Sequence, residues 1–174
     1  MFSVIIPTFN NIDYLKICLN SLKKNSKFNN EIILHINEGV DGTLDFVKKN
    51  GINYTYSHCN IGLCSSVNTA VKKTTTDYII YGHDDMYFCP GWDVAFNEEI
   101  AKIGHNLFYL SGTMIQPVNG HIQLNCGTTH NDFNEKKLLS EFNLIDHHDF
   151  QGTHWSPHLI HKDVWNSVGG LSEE

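Results

Sequence analysis

The chain has 174 residues, with 41% hydrophobic and 18% charged side chains and a formal net charge of −7. That length and composition allow one globular domain with a sizeable core. Phosphate backbones require a positive stripe, and no basic cluster interrupts the acidic balance, so nucleic acid is excluded as a partner. Five cysteines (Cys18, Cys59, Cys64, Cys89, Cys126) are scattered, odd in number and without a CxxC pair. They read as reduced thiols of a cytoplasmic protein. No apolar run approaches the roughly 18 residues of a membrane span. Met1 to Ile6 lacks the charged start of a signal peptide.

In chain order, Phe2 to Pro7 is an unbroken apolar run, the pattern of a strand buried on both faces. Ile12, Leu15, Leu19 and Leu22 recur at helical spacing between Ile12 and Lys24. Glu31 to Ile36 is a second buried strand. Asp41 or Thr43 can cap a helix over Leu44 to Lys49. A short strand over Ile52 to Tyr56 follows, and it contains the Asn53-Tyr54-Thr55 sequon, to which no role is given. Asn60-Ile61-Gly62 opens a helix reaching about Lys73. Asp77 to Gly82 is a fourth apolar strand, halted by His83-Asp84-Asp85. Pro90-Gly91-Trp92 turns into an amphipathic helix over Asp93 to Ile103.

Leu107 to Leu110 reads as another strand. From Gly112 to Asp149 the periodicity weakens into loops with short strands. Lys162 to Val168 reads as a helix that Gly169-Gly170 terminates. Alternating strands and helices predict an α/β fold with a mostly parallel sheet and right-handed crossovers. A single domain is the simplest count, with residues 1–106 forming a βαβ part and 107–174 beginning a second part.

Open α/β sheets bind ligands beyond the carboxyl ends of their strands. Thr8-Phe9-Asn10, Asn37-Glu38-Gly39 and His83-Asp84-Asp85 end three of the strands, and a parallel sheet brings them to one edge. Adjacent carboxylates repel one another, and a divalent cation offsets that repulsion. Hard oxygen ligands suit Mg2+ or Mn2+, and a nearby His83 favours Mn2+. Such an ion can bridge a diphosphate and stabilise it as a leaving group. The competing reading is a solvated turn in which one Asp caps downstream backbone.

Asn60-Ile61-Gly62 at a helix start can offer amides to phosphate, although a glycine there is often only a turn. The absence of GxGxxG and of GxxxxGK[ST] counts against a dinucleotide-binding oxidoreductase and a P-loop nucleotidase. His154, His158 and His161 cluster, with His147 and His148 close by, but Pro157 breaks their spacing and HExxH is absent. They are read as loop histidines along a polar cleft rather than a zinc site. There is no GxSxG elbow, and Ser65-Ser66 falls on a helix, so nucleophilic catalysis has no motif.

Together these blocks resemble the family 2 glycosyltransferases of the GT-A fold. The resemblance runs in order through Ser3-Val4-Ile5-Ile6-Pro7-Thr8-Phe9-Asn10, Glu31-Ile32-Ile33, Asp41-Gly42-Thr43 and Asn60-x-Gly62 with Asn68. It continues through Asp77-Tyr78-Ile79-Ile80 to His83-Asp84-Asp85, Pro90-Gly91-Trp92 and Val168-Gly169-Gly170-Leu171-Ser172-Glu173. It implies transfer of a sugar from a nucleotide-diphospho-sugar, UDP-linked by preference, with inversion at the anomeric carbon. The acceptor is left unknown, with a glycan or a lipid-linked molecule as candidates.

By position, the implied donor-binding residues are Pro7, Thr8, Phe9, Asn37, Glu38, Asn60, Gly62, Asn68, His83, Asp84 and Asp85. Thr8 and Phe9 would flank base and ribose, and Asp84 would meet the ribose or sugar. Asp85, with His83, would hold the metal. Asp41 would hold a turn.

Three positions depart from the family pattern. His83 replaces the first Asp of a DxD-like motif, Asn37 stands where a base-binding Asp is common, and Val67 replaces an Arg. The general base of the family lies beyond the Gly-Gly segment, so it is expected past Glu174 and the sequence reads as truncated; Asp146, Asp149 and Glu173 are the acids at hand to substitute. The alternative is a module that binds nucleotide-sugar without transferring it. A sugar-phosphate nucleotidyltransferase would need a glycine-rich basic loop after the first strand, and Pro7-Thr8-Phe9-Asn10-Asn11 supplies none. Gly112 to His161 is expected to shape the acceptor side, with Trp155 either stacking on a sugar ring or lying in a core.

Overall fold

A computed structural model describes residues 1–146, 148, 152 and 155–173. The chain divides into two compact units, one of Met1–Leu110 with Pro157–Glu174 and the other of Ser111–Ser156.

The first unit carries most of the regular structure. Its strands are β1 (Ser3–Phe9), β2 (Glu31–Asn37), β3 (Asn53–Ser57) and β4 (Tyr78–Tyr81). Helices α1 (Ile12–Asn25), α2 (Thr43–Lys49) and α3 (Leu63–Val71) connect them, and α4 (Trp92–Ile103) follows β4. Then come β5 (Tyr109–Ser111) and, near the end of the chain, β8 (His158–His161) and α6 (Lys162–Val168). The second unit holds the short parallel pair β6 (Ile115–Gln116) and β7 (Ile122–Gln123), with helix α5 (Glu135–Glu141).

Six strands form one sheet in the order β3-β2-β1-β4-β8-β5. β1 pairs in parallel with β2 and β4, and β2 with β3, while β8 runs antiparallel to β4. The result is a mixed, mostly parallel α/β sheet flanked by helices. Its strands are apolar on both faces because both faces are covered. Val4, Ile6, Leu34, Ile36, Ile80 and Leu159 pack with Leu15, Leu22, Val47 and Phe96 of α1, α2 and α4. Ile5, Ile33, Ile79 and Ile160 pack with Val67 and Ala70 of α3 and Trp165 of α6.

The order also fixes where a ligand can sit. From β1 the chain winds outward through β2 to β3, then returns to lay β4 on the other side of β1. The carboxyl ends of β1 and β4 therefore flank a topological switch point, where an open α/β sheet leaves a crevice.

Two elements differ from the sequence reading. His158 and His161 begin and end β8 rather than lying in a loop, and Ile160 and Leu159 pair with Ile79 and Ile80. His161 also caps α6, its Nδ1 accepting from the Asp163 N–H at 3.2 Å. Four residues with a polar group at each end carry no alternation signal, and the partner strand is about eighty residues away. The second element, α5, lies inside the stretch read as loops and short strands. It is capped by Asn134, whose side chain accepts from the Lys137 N–H at 2.9 Å, and it buries only Leu138. His147, Asp149, His154 and Glu174, which the sequence reading also weighed, fall outside the described residues.

Candidate functional site

A cleft of about 290 Å3 opens at the switch point. Pro7, Thr8 and Phe9 come to it from the end of β1, Asn37 from the end of β2, Asn60 and Gly62 from the turn before α3, and His83, Asp84 and Asp85 from the loop after β4. Asn11 and Leu63 complete the lining and are absent from the sequence-derived set. Asn11 closes the turn after β1 and Leu63 opens α3 directly after Asn60-Ile61-Gly62, so the signal was adjacency to a strand end and to a helix start.

The centre of the cleft is a short bond between two of its walls. Thr8 Oγ1 donates to Asp84 Oδ2 at 2.6 Å and so joins the loop after β4 to the end of β1. Burial pushes the Asp84 carboxyl above its ordinary range, hydrogen bonds from Thr8 and Asn11 pull it back, and neighbouring Asp85 pushes it up again. Asp85 itself is exposed to the cleft. Beneath this loop Cys18 is fully buried, and its thiol donates to the His83 carbonyl at 3.5 Å. Burial, then Asp84 and Asp85, drive that thiol far above its usual range, which makes it a packing group and not a nucleophile. The His83 ring shares a 2.7 Å hydrogen bond with the Tyr81 hydroxyl through Nε2.

On the β2 side, Asn37 is buried and bonds in three directions. Its Oδ1 accepts from the Ile61 N–H at 3.0 Å, while Nδ2 donates to Ser66 Oγ at 2.9 Å and to the Thr8 carbonyl at 3.5 Å. Asn60 Oδ1 accepts from the Gly62 N–H at 2.9 Å. Gly62 caps α3 at φ 82, a conformation that L side chains resist. Phe9 and Leu63 leave apolar surface exposed at the rim, 46% and 50% accessible.

Two residues of the sequence-derived set stand outside this lining. Glu38 has a left-handed backbone, φ 60, and its carboxylate accepts from Asn10 Nδ2 at 3.2 Å. Asn10 is left-handed too, φ 47, so two non-glycine residues hold an uncommon conformation at the same sheet edge. Asn68 lies further along α3 and binds the segment after α6. Its Nδ2 donates to the Leu171 carbonyl at 2.8 Å and to Glu173 Oε1 at 2.7 Å, and its Oδ1 accepts from the Leu171 N–H at 2.9 Å. Asp41 does hold a turn, accepting from the N–H groups of Ile12 at 2.8 Å and Thr43 at 3.0 Å.

Bonds from Asn68 and Ser65 hold the Glu173 carboxyl below its usual range. Asp146 and Trp155 belong to the second unit, where Trp155 meets His121 edge-on at 4.3 Å between ring centroids.

The donor chemistry suits a divalent ion shared with a ligand better than one caged by protein. Among the described residues no three His, Cys, Asp or Glu side chains gather as a metal cluster. Asp84 and Asp85 offer hard oxygens facing an open cleft. Mg2+ and ions like it are commonly held by one or two carboxylates, with the remaining positions filled by substrate phosphates and water. Among the described residues no helix is long and apolar enough to cross a membrane.

Comparison with known proteins agrees with this fold. Residues 1–349 of S. aureus TarS match 99% of this chain over 50% of their own length, at TM-score 0.70 and 19% identity. TarS 1–349 in complex with UDP-GlcNAc matches 70% of this chain and 37% of that one, at TM-score 0.58 and 25% identity. The mannosyltransferase PcManGT from Pyrobaculum calidifontis, in complex with GDP-Man and Mn2+, matches 99% of this chain and 48% of that one, at TM-score 0.73 and 14% identity. These are likenesses of fold, and the chain spans about half the length of TarS 1–349 and of PcManGT. No curated protein matches the sequence. The model of glycosyl transferase family 2 matches residues 3–164, nearly the whole chain, and with a GT-A architecture beneath that match the chain belongs to glycosyl transferase family 2.

Proposed function

We propose that this chain forms the donor side of a metal-dependent, inverting glycosyltransferase that takes its sugar from a UDP-linked donor. The supporting observation is the meeting of Thr8, Asn37, Asn60, Gly62, Asp84 and Asp85 around one cleft at the switch point of the sheet. In this reading Phe9 and Leu63 cover the faces of the base and ribose with apolar surface, and Asp84, steadied by Thr8, accepts from a ribose or sugar hydroxyl. Asp85, with His83 beside it, holds a Mn2+ or Mg2+ ion jointly with the diphosphate. When bound, that ion supplies positive charge to the departing diphosphate.

The base preference is drawn from TarS, whose complex holds UDP-GlcNAc. PcManGT holds GDP-Man, so both nucleotides belong in any test. Inversion requires a general base on the acceptor hydroxyl. Glu173, whose carboxylate already accepts from Ser65 and Asn68, is poorly suited to that role. The acceptor is a glycan or lipid-linked hydroxyl, and the enzyme works in the cytoplasm.

The test is calorimetric titration of UDP and GDP into the chain with and without Mn2+, repeated on Asp85→Ala. Loss of the carboxylate lowers Mn2+-dependent UDP affinity by at least about tenfold, the equivalent of one charge-assisted contact of roughly 1.5 kcal/mol, and leaves the melting temperature within about 2 °C. An unchanged affinity would remove Asp85 from the metal role. Release of free sugar from UDP-GlcNAc, followed in the same samples, separates transferase chemistry from donor binding alone.

A further inference from the structure

Asn37 sits where the resemblance implies a contact with the nucleobase and borders the cleft, yet it is only 3% exposed, and both polar atoms of its side chain are bonded to protein. Its amide has a fixed orientation. Oδ1 meets the Ile61 N–H, which can only donate, so a flipped amide would set two donors against each other. Nδ2 then points at Ser66 Oγ, and that hydroxyl in turn donates a hydrogen bond to the Gly62 carbonyl at 2.5 Å. The same Nδ2 reaches the Thr8 carbonyl, and Thr8 holds Asp84 through its hydroxyl. One side chain thus ties the end of β1, the end of β2 and the turn that opens α3, and through Thr8 it reaches the acidic loop.

From this geometry we infer that Asn37 is a positioning residue of the donor site, which sets the turn before α3 and the Thr8–Asp84 pair in place without reading the base. The inference rests on the donor-site reading above. It follows from the donor and acceptor pattern that an amide matches all three partners at once, the Ile61 N–H, the Ser66 hydroxyl and the Thr8 carbonyl. An aspartate would offer two acceptors, set a buried carboxylate near the Thr8 carbonyl and leave Ser66 Oγ without its donor. Ser66 makes the chain of bonds testable from a second point, because it is fully buried and stays out of the cleft lining.

The test measures Kd for UDP, GDP, CDP and ADP with Mn2+ on the wild-type chain, Asn37→Ala, Asn37→Asp and Ser66→Ala, each at a temperature where melting curves show it folded. Positioning predicts that every nucleotide weakens together, by roughly tenfold for the loss of one or two buried hydrogen bonds. The UDP-to-GDP affinity ratio stays within about twofold of wild type. Asn37→Asp fails to rescue Asn37→Ala. Ser66→Ala weakens nucleotide binding in the same non-selective way, and the Asn37→Ala/Ser66→Ala double variant loses less than the product of the single effects. A shifted UDP-to-GDP ratio would mark Asn37 as a base reader and overturn the inference. Folded Asn37→Ala and Ser66→Ala chains with wild-type affinities would overturn it as well. A wild-type chain that binds none of the four nucleotides would sink the donor-site reading itself, and is told apart from the other results by that alone.

Discussion

The Thr8–Asp84 bond is the smallest unit on which the site depends. A carboxylate partly removed from water at a strand end is unfavourable unless donors face it, and Thr8 and Asn11 are the donors to Asp84. Thr8→Val keeps the shape and β-branching of the side chain and removes only the donor. A hydrogen bond to a charged group contributes about 1.5–3 kcal/mol, so a urea melt of Thr8→Val is expected to show a loss in that range. UDP affinity should fall at the same time, because the loop bearing Asp85 loses its side-chain tie to Thr8 of β1. If stability falls while nucleotide affinity stays at the wild-type value, the bond supports the fold and not the site. Residues of this kind were legible from sequence because polar groups that close an apolar run of a parallel sheet share one edge. Their partners were not, since a 2.6 Å bond across seventy-six positions leaves no periodicity to read.

Helix α3 shows how far an element divides its duties. Its amino-terminal turn, at Gly62 and Leu63, borders the cleft, whereas Asn68, about one and a half turns on, has rotated away and grips Leu171 and Glu173. Sequence order set Asn60, Gly62 and Asn68 in one motif, but a helix turns each residue by about 100°, so equal emphasis along the motif could not mean equal access to a ligand. Asn68→Ala is therefore expected to leave UDP affinity within about twofold and to destabilise the chain by roughly 1–2 kcal/mol, the range for losing bonds to partly buried backbone. Parallel thermal melts and titrations read both quantities; a large loss of affinity in a stable variant would return Asn68 to the donor site. Long apolar runs made β1, β2 and β4 readable, and helical spacing did the same for α1 and α4. Composition hid β8 and α5, not length alone, since β4 is as short as β8 and α2 and α6 as short as α5: β8 is closed at both ends by a histidine, and α5 buries only Leu138, so neither shows an apolar period.

At the scale of the molecule, the strand that carries Asn37 also carries a buried histidine, and this links the site to the acid stability of the fold. His35 has no solvent exposure, with Nδ1 2.8 Å from Thr55 Oγ1 and Nε2 3.2 Å from Ser57 Oγ, both on β3. Burial holds its pKa below the ordinary value of 6.5, and contact with Asn37 offsets this in part. The folded chain therefore keeps the ring neutral where the unfolded chain takes a proton. Below pH 6.5 the unfolded state binds more protons than the native one, so stability is complete above that pH and declines as pH falls through it. His35→Gln retains a donor and an acceptor on a side chain that does not titrate. Its melting temperature should start lower than wild type at pH 8, from imperfect packing, and should lose less between pH 7 and pH 5. Saturating UDP with Mn2+ adds a stabilisation of about 2.7 kcal/mol at a hundredfold excess over Kd, which raises both curves without changing their difference in slope. If the two curves fall in parallel with acid, the proton uptake lies elsewhere and β2 is not the acid-sensitive strand of the sheet.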